Sequence, residues 1–177
     1  IHEALSARGA HDLVNDHIAF RTFDHPWVDI EVLAQHFEQL GWQASGQYTF
    51  EKKKLPAKHF QHGNPSFPTI FISALQVSDC SVQVQQMVED FMASSSEQAC
   101  QARSLLTQGR LPQSPPDHDL YTLLLAESEY AAWMYLHGFR PNHFTIDINA
   151  LQGFENLTDL NDFVLDLGYP LNTSGGI

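Results

Sequence analysis

Of 177 residues, 43% are hydrophobic and 17% charged, which is enough apolar content for a buried core, and the length makes one domain the default. Disordered and collagen-like chains are excluded. Nine Lys and Arg against 21 Asp and Glu give a formal net charge of −12, which repels phosphate backbones and anionic headgroups and argues against nucleic acid or a membrane as partner.

No apolar run reaches the roughly 18 residues of a spanning helix. The opening Ile1-His2-Glu3 carries no leader pattern, so the expectation is a soluble, cytoplasmic protein. The missing initiator Met and the turn-like end Ser174-Gly175-Gly176-Ile177 suggest a trimmed sequence. Cys80 and Cys100 stand outside any CxxC spacing and are read as buried thiols of a reducing compartment. Ten histidines outnumber Lys and Arg together, which raises metal binding as a question.

In chain order, residues 13–23 predict a strand from their β-branched and aromatic content. Ile30, Leu33, Phe37 and Leu40 form a helical stripe, closed by Gly41 as the left-handed residue after the helix. Three strands follow at about 43–50, 54–62 and 68–75, separated by Lys-rich or Pro/Gly/Asn turns. That order spells βαβββ. From about 80 to 137, Gln, Ala, Leu and Met at helical spacing predict two or three helices, broken by Pro112, Pro115 and Pro116 and ended by Gly138. The first pattern then returns as a strand at 142–149 and a second stripe, Leu157, Leu160, Val164 and Leu167, followed by Gly168. His17 and His143 are 126 positions apart, while Leu40 and Leu167, Gly41 and Gly168, and Trp42 and Tyr169 are each 127 apart, which reads as an internal duplication. The expected organisation is a first module at 12–75, a helical insert at 76–138 and the start of a second module at 139–177, all within one structural domain.

Strand alternation places His17, Ala19 and Arg21 on one face, and His143, Thr145 and Asp147 on one face of the second copy. The opposite faces, with Ile18, Phe20 and Thr22 or Phe144, Ile146 and Ile148, are expected to pack on helices. Ala19 and Thr145 are small and would leave room for a ligand. Two histidines and a carboxylate with open positions form the facial arrangement suited to non-haem Fe(II).

The stretches Asn-Asp-His-Ile-Ala-Phe-Arg-Thr-Phe (15–23), Lys-Lys-Leu-Pro-Ala-Lys-His-Phe (53–60), Ile-Phe-Ile-Ser (70–73) and Asn-His-Phe-Thr (142–145) resemble the 2-oxoadipate dioxygenase/decarboxylase family. The likeness covers most of the chain and is weakest in the helical insert. That family is similar in turn to the vicinal oxygen chelate superfamily, built from paired βαβββ modules. The resemblance implies an α+β fold of two such modules with the second truncated here, and Fe(II) held by two histidines and a glutamate. It implies His17 and His143 as metal ligands and Arg21 as the arginine that binds a substrate carboxylate in the catalytic site. The implied reaction is oxidative decarboxylation of a 2-oxo acid with O2, taking 2-oxoadipate to 2-hydroxyglutarate and CO2. The family's glutamate sits on a late strand of the second module, so the third ligand is expected beyond Ile177.

Other residues have plainer readings. Arg21 could pair with Asp16 or Asp147. Asp147 could itself be a ligand, but four residues of strand place it about 13 Å from His143. Lys52, Lys53, Lys54 and Lys58 read as a solvated hairpin edge that could also meet a dicarboxylate. His59 and His62, three apart, point to opposite faces of a strand and read as structural. His118 between Asp117 and Asp119 reads as a helix N-terminus. His2, His11, His25, His36 and His137 belong to no constellation, and the Leu/Met/Trp stripe of the insert reads as core. No GxSxG elbow and no phosphate loop supports a hydrolase or nucleotide enzyme. Two further functions keep the same fold: a Zn(II) or Ni(II) lyase or isomerase using the metal as Lewis acid, and a non-catalytic small-molecule binding module.

Overall fold

A computed structural model describes residues 1–50, 55–94, 100–108 and 115–172. It is a mixed α+β structure of two compact units, one spanning His17–Phe144 and the other formed by residues 1–16 with 145–172. A short helix α1 (His2–Ala7) precedes β1 (Asn15–Phe23), α2 (Ile30–Glu38), β2 (Trp42–Phe50), β3 (Leu55–His62) and β4 (Thr69–Leu75). These are the βαβββ elements in the expected order. The strands lie in the order β2-β3-β4-β1-β5, where β5 is Pro141–Ile146. Strand β1 pairs with β4 in parallel, and β2, β3 and β4 are joined antiparallel.

Helix α2 starts where the Asp29 carboxylate accepts from Val32 N at 2.8 Å. It ends just before Gly41, whose φ of +106° only glycine adopts without strain and whose missing Cβ leaves room for the His62 ring. Between its ends, Ile30, Leu33 and Ala34 are buried with Phe20, Phe60, Ile70 and Ile72 in the larger unit's core. Phe20 and Phe37 meet at 5.3 Å between ring centroids, so the even-numbered face of β1 is the one that packs on α2. Leu40 falls outside this stripe: it lies beyond the helix end and is 58% exposed.

A single 3-10 turn (Val77–Asp79) leads into α3 (Val82–Ala93), α4 (Ala102–Gln108), α5 (His118–Glu127) and α6 (Glu129–His137). Four described helices thus stand where periodicity predicted two or three. The periodicity runs through Ser128, whose extended backbone ends α5 while its hydroxyl caps α6 by accepting from Ala131 N. Asp117 caps α5 in the same manner, as its position beside His118 suggested. Phe23 of β1 meets Phe91 of α3 and Phe139 at 6.0 and 6.1 Å, so these aromatic rings close the larger unit's core on the face of β1 opposite α2. Cys80 and Cys100 are both buried.

The smaller unit holds α1 and α7 (Leu157–Asp166). Leu5, Ala10 and Leu151 form its core, with Leu160 and Phe163 packed against them, and Arg8 pairs with Asp159 at 2.5 Å. Asn156 caps α7 by accepting from Asp159 N, and Gly168 follows with a φ of +85°. No α7 residue is fully buried, and Leu167 lies past the helix end. Among the described residues no helix is long and apolar enough to cross a membrane.

Candidate active site

Alternation along β1 places His17, Ala19, Arg21 and Phe23 on the face away from α2, and the register carries that face onto β4 with Thr69, Phe71, Ser73 and Leu75 as their neighbours. His17, Arg21 and His143 all belong to the larger unit. The His17 and His143 rings meet edge to face with centroids 5.4 Å apart. Two imidazoles binding one ion at about 2.1 Å each have centroids within roughly 6 Å, so the pair can share a metal without rearrangement of the strands. Partial burial lowers the His143 pKa, and the neighbouring His17 and Arg21 lower it further, which favours the neutral ring a metal requires. Asn142 lies 2.8 Å from His143 Nδ1, and its buried Oδ1 lacks a partner. An Asn amide can present either end; with Oδ1 toward the ring, Nδ1–H donates to it and Nε2 is left with its lone pair for a metal.

Arg21 lies over two aromatic rings of α6, 4.8 Å from the Tyr130 centroid and 5.1 Å from that of Trp133. Burial lowers its pKa, partly offset by Tyr130 and Glu129. Its Nη1 is buried without a hydrogen-bond partner. A buried, unpaired guanidinium N–H is costly, and a carboxylate is the group that satisfies it most strongly.

The Tyr130 hydroxyl, in turn, ties α6 to two strands. It accepts from Thr22 N at 2.9 Å, donates to the Ser73 carbonyl at 2.5 Å, and lies 3.2 Å from Ser73 Oγ. Burial pushes its pKa well above that of a free phenol, so it stays protonated and serves as a fixed donor. The sequence reading places Trp133 in the insert's core stripe and does not single out Tyr130. Their spacing of three puts them on one helix face, a signal visible in the sequence, but the cation they face comes from a strand more than a hundred residues away.

Several expectations change. Ala19 is 2% exposed, so neighbouring side chains already cover it and it leaves no open space. Phe144 is 58% exposed instead of packing on a helix. The second strand stops at Ile146, so the alternation that put Asp147 on the His143 face ends before Asp147, whose carboxylate instead accepts from Asn149 N. Among the described residues no cluster of three His, Cys, Asp or Glu could hold a metal. Lys58 pairs with Glu31 of α2, and Lys52, Lys53 and Lys54 lie outside the described residues. His62 packs between Trp42 and Phe67, a structural role.

The family model for 2-oxoadipate dioxygenase/decarboxylase matches residues 3–173. A rice protein named 2-oxoadipate dioxygenase/decarboxylase, chloroplastic/amyloplastic, is 34% identical over 173 residues, 92% of this chain and 48% of its own length. The chain therefore spans about half of that relative. Among solved structures, a Shewanella frigidimarina protein described as a candidate hydrolase is 44% identical with a TM-score of 0.88, covering 99% of this chain and 67% of that one. Rice hydroxyglutarate synthase in complex with 2-oxoadipate is 31% identical with a TM-score of 0.80, over 99% of this chain and 61% of that one. A glyoxalase-superfamily structure from Ralstonia eutropha, 18% identical at a TM-score of 0.74 over 96% of this chain and 60% of that one, shares the fold alone. With nearly its whole length matched, this chain belongs to the 2-oxoadipate dioxygenase/decarboxylase family.

Proposed function

We propose that the protein is an Fe(II)-dependent dioxygenase/decarboxylase of a small 2-oxo acid, with His17 and His143 as two metal ligands and Arg21 as the substrate-carboxylate anchor. The observation that carries this reading is the buried, unpaired Arg21 Nη1 on the same strand face as His17 and its partner ring His143. The names of the rice relative and of the rice complex with 2-oxoadipate support the same substrate class. The third ligand, a glutamate in the family, belongs in this reading beyond Ile177.

The protein's own groups supply position. Arg21, held between the aromatic faces of α6 and the backbone of β1, offers a preoriented donor to a carboxylate. Tyr130 keeps its proton and fixes the strand pair beneath that arginine. Fe(II), when bound, supplies the electron chemistry that lets O2 react with an organic acid, which protein side chains do not provide. The substrate carboxylate leaves as CO2, and the shortened acid gains a hydroxyl.

The test is O2 uptake by the full-length, anaerobically Fe(II)-loaded protein with 2-oxoadipate, beside an iron-free control. Iron-dependent uptake matched by CO2 release is expected, whereas turnover that proceeds without O2 would place the protein among the Lewis-acid lyases or isomerases. His17→Ala is expected to abolish iron binding. Equal iron content in wild type and His17→Ala would remove the metal assignment.

A further inference from the structure

A second polar position lies on the same sheet face as Arg21, two strands away. The register aligns Ala19 of β1, Phe71 of β4, His59 of β3 and Gly46 of β2 in one row across the sheet. Ala19 lies midway between His17 and Arg21, so His59 is about 10 Å from β1 across the strands. His59 is held there by two features. The Tyr48 hydroxyl lies 2.9 Å from its Nδ1. Gly46, at the point where the β2–β3 register shifts, leaves the space the ring occupies: a Cβ there would come 2.5 Å from His59 Cε1 and 2.8 Å from Nδ1. When Tyr48 donates into Nδ1, the ring proton resides on Nε2, which makes that nitrogen a donor of fixed orientation.

Resting on the 2-oxo acid reading above, we infer that His59, oriented by Tyr48 and Gly46, hydrogen-bonds the second carboxylate of a 2-oxo dicarboxylate and so sets the preference for diacids. The length supports it. A six-carbon diacid has five C–C bonds of about 1.5 Å in a zigzag, and with a hydrogen bond of about 2.9 Å at each end it reaches about 12 Å. Strands β1 and β3 are about 10 Å apart, so a diacid of this reach is long enough to span them. Lys58, the neighbouring cation, cannot take this role, because it sits on the opposite face in a pair with Glu31.

Calorimetric binding of two acids to the full-length protein, loaded with Fe(II) under anaerobic conditions, tests the assignment. The acids are 2-oxoadipate and 2-oxohexanoate, of equal carbon count but ending in a carboxylate or a methyl. Wild type is expected to prefer the diacid, and His59→Phe to lose about tenfold of that preference with little change for 2-oxohexanoate. Tyr48→Phe, which removes only a hydroxyl, is expected to lose a smaller part, and His59→Gln, which keeps a donor, to retain most of it. Should His59→Phe not fold, these two variants carry the test. An undiminished preference in folded His59→Phe, or an unchanged one in Tyr48→Phe, overturns the inference. So does wild type binding both acids equally, which leaves the 2-oxo acid reading standing. Wild type binding neither acid overturns both.

Discussion

Helices α2 and α7 share an apolar spacing, an acidic or amide N-cap and a glycine of positive φ just past the end, yet α2 buries three residues and α7 none fully. In the larger unit, α2 lies on a sheet face carrying Phe20, Phe60, Ile70 and Ile72. In the smaller unit, the buried partners of α7 among the described residues are Leu5, Ala10 and Leu151. A stripe in the sequence says which side of a helix is apolar; how much water it sheds depends on the surface opposite. The strands differ likewise. β1 is flanked by β4 and β5, whereas β5 stands at the sheet edge with Phe144 and His143 exposed.

The largest expected effect separates the two helices directly. Leu33→Ala removes a fully buried side chain from α2 and is expected to cost about 3–5 kcal/mol in urea unfolding. Leu160→Ala on α7 is expected to cost about 1 kcal/mol, since Leu160 is only partly buried. Equal losses would erase the distinction. Next, of the two strands that carry these histidines, β1 has an arginine on its histidine face and β5 has none. Arg21→Ala is expected to leave metal content unchanged and to weaken 2-oxo acid binding by about 10- to 100-fold in calorimetry. Lost iron would mean that Arg21 holds the histidines instead of the substrate. Trp133→Leu, which removes one of the rings over which the guanidinium lies, is expected to cost less, about fivefold.

The caps sharpen the comparison from the other side, because capping is local and should ignore what lies opposite. Asp29→Ala and Asn156→Ala are each expected to cost about 1 kcal/mol, measured by thermal unfolding. A much larger loss at Asp29 would show that cap and packing are coupled. The smallest effect is a titration. In the metal-free protein, the His143 ring is expected to titrate by NMR below the ordinary 6.5. Its contribution to stability is then complete above pH 6.5 and declines as pH falls through the lowered value, because the unfolded ring takes a proton first. A midpoint at or above 6.5 would show that neither burial nor the neighbouring His17 and Arg21 controls the ring.

Much of the first module was legible because its elements are local. The strands from Trp42 to Leu75 and the helix at Ile30 each follow from a period, a cap or a turn within about ten residues. His17 and His143 were singled out by the 126-residue spacing and the family motif, and the structure brings their rings edge to face. What stayed hidden was tertiary. The break at Ser128 is a single residue, between Glu127 and Glu129, within one stretch of helix-favouring residues, and the covering of Ala19 depends on its neighbours across the sheet. The shelf beneath Arg21 joins α6 to β1, and the Tyr48–His59 pair needs the strand register, which a lone sequence does not contain.

The Tyr130 hydroxyl reaches Thr22 across 108 positions of chain. Forming it closes a very long loop, an entropic cost that must be met before the contact returns any stability. The knot is therefore expected to form late in folding, after the local βαβββ hairpins, and to make this unit a slow folder for its size. The same logarithm works in favour of change afterwards: doubling such a loop adds only about 0.6 kcal/mol, so the connections between the insert's helices can lengthen in evolution or by engineering while the closure stays in place.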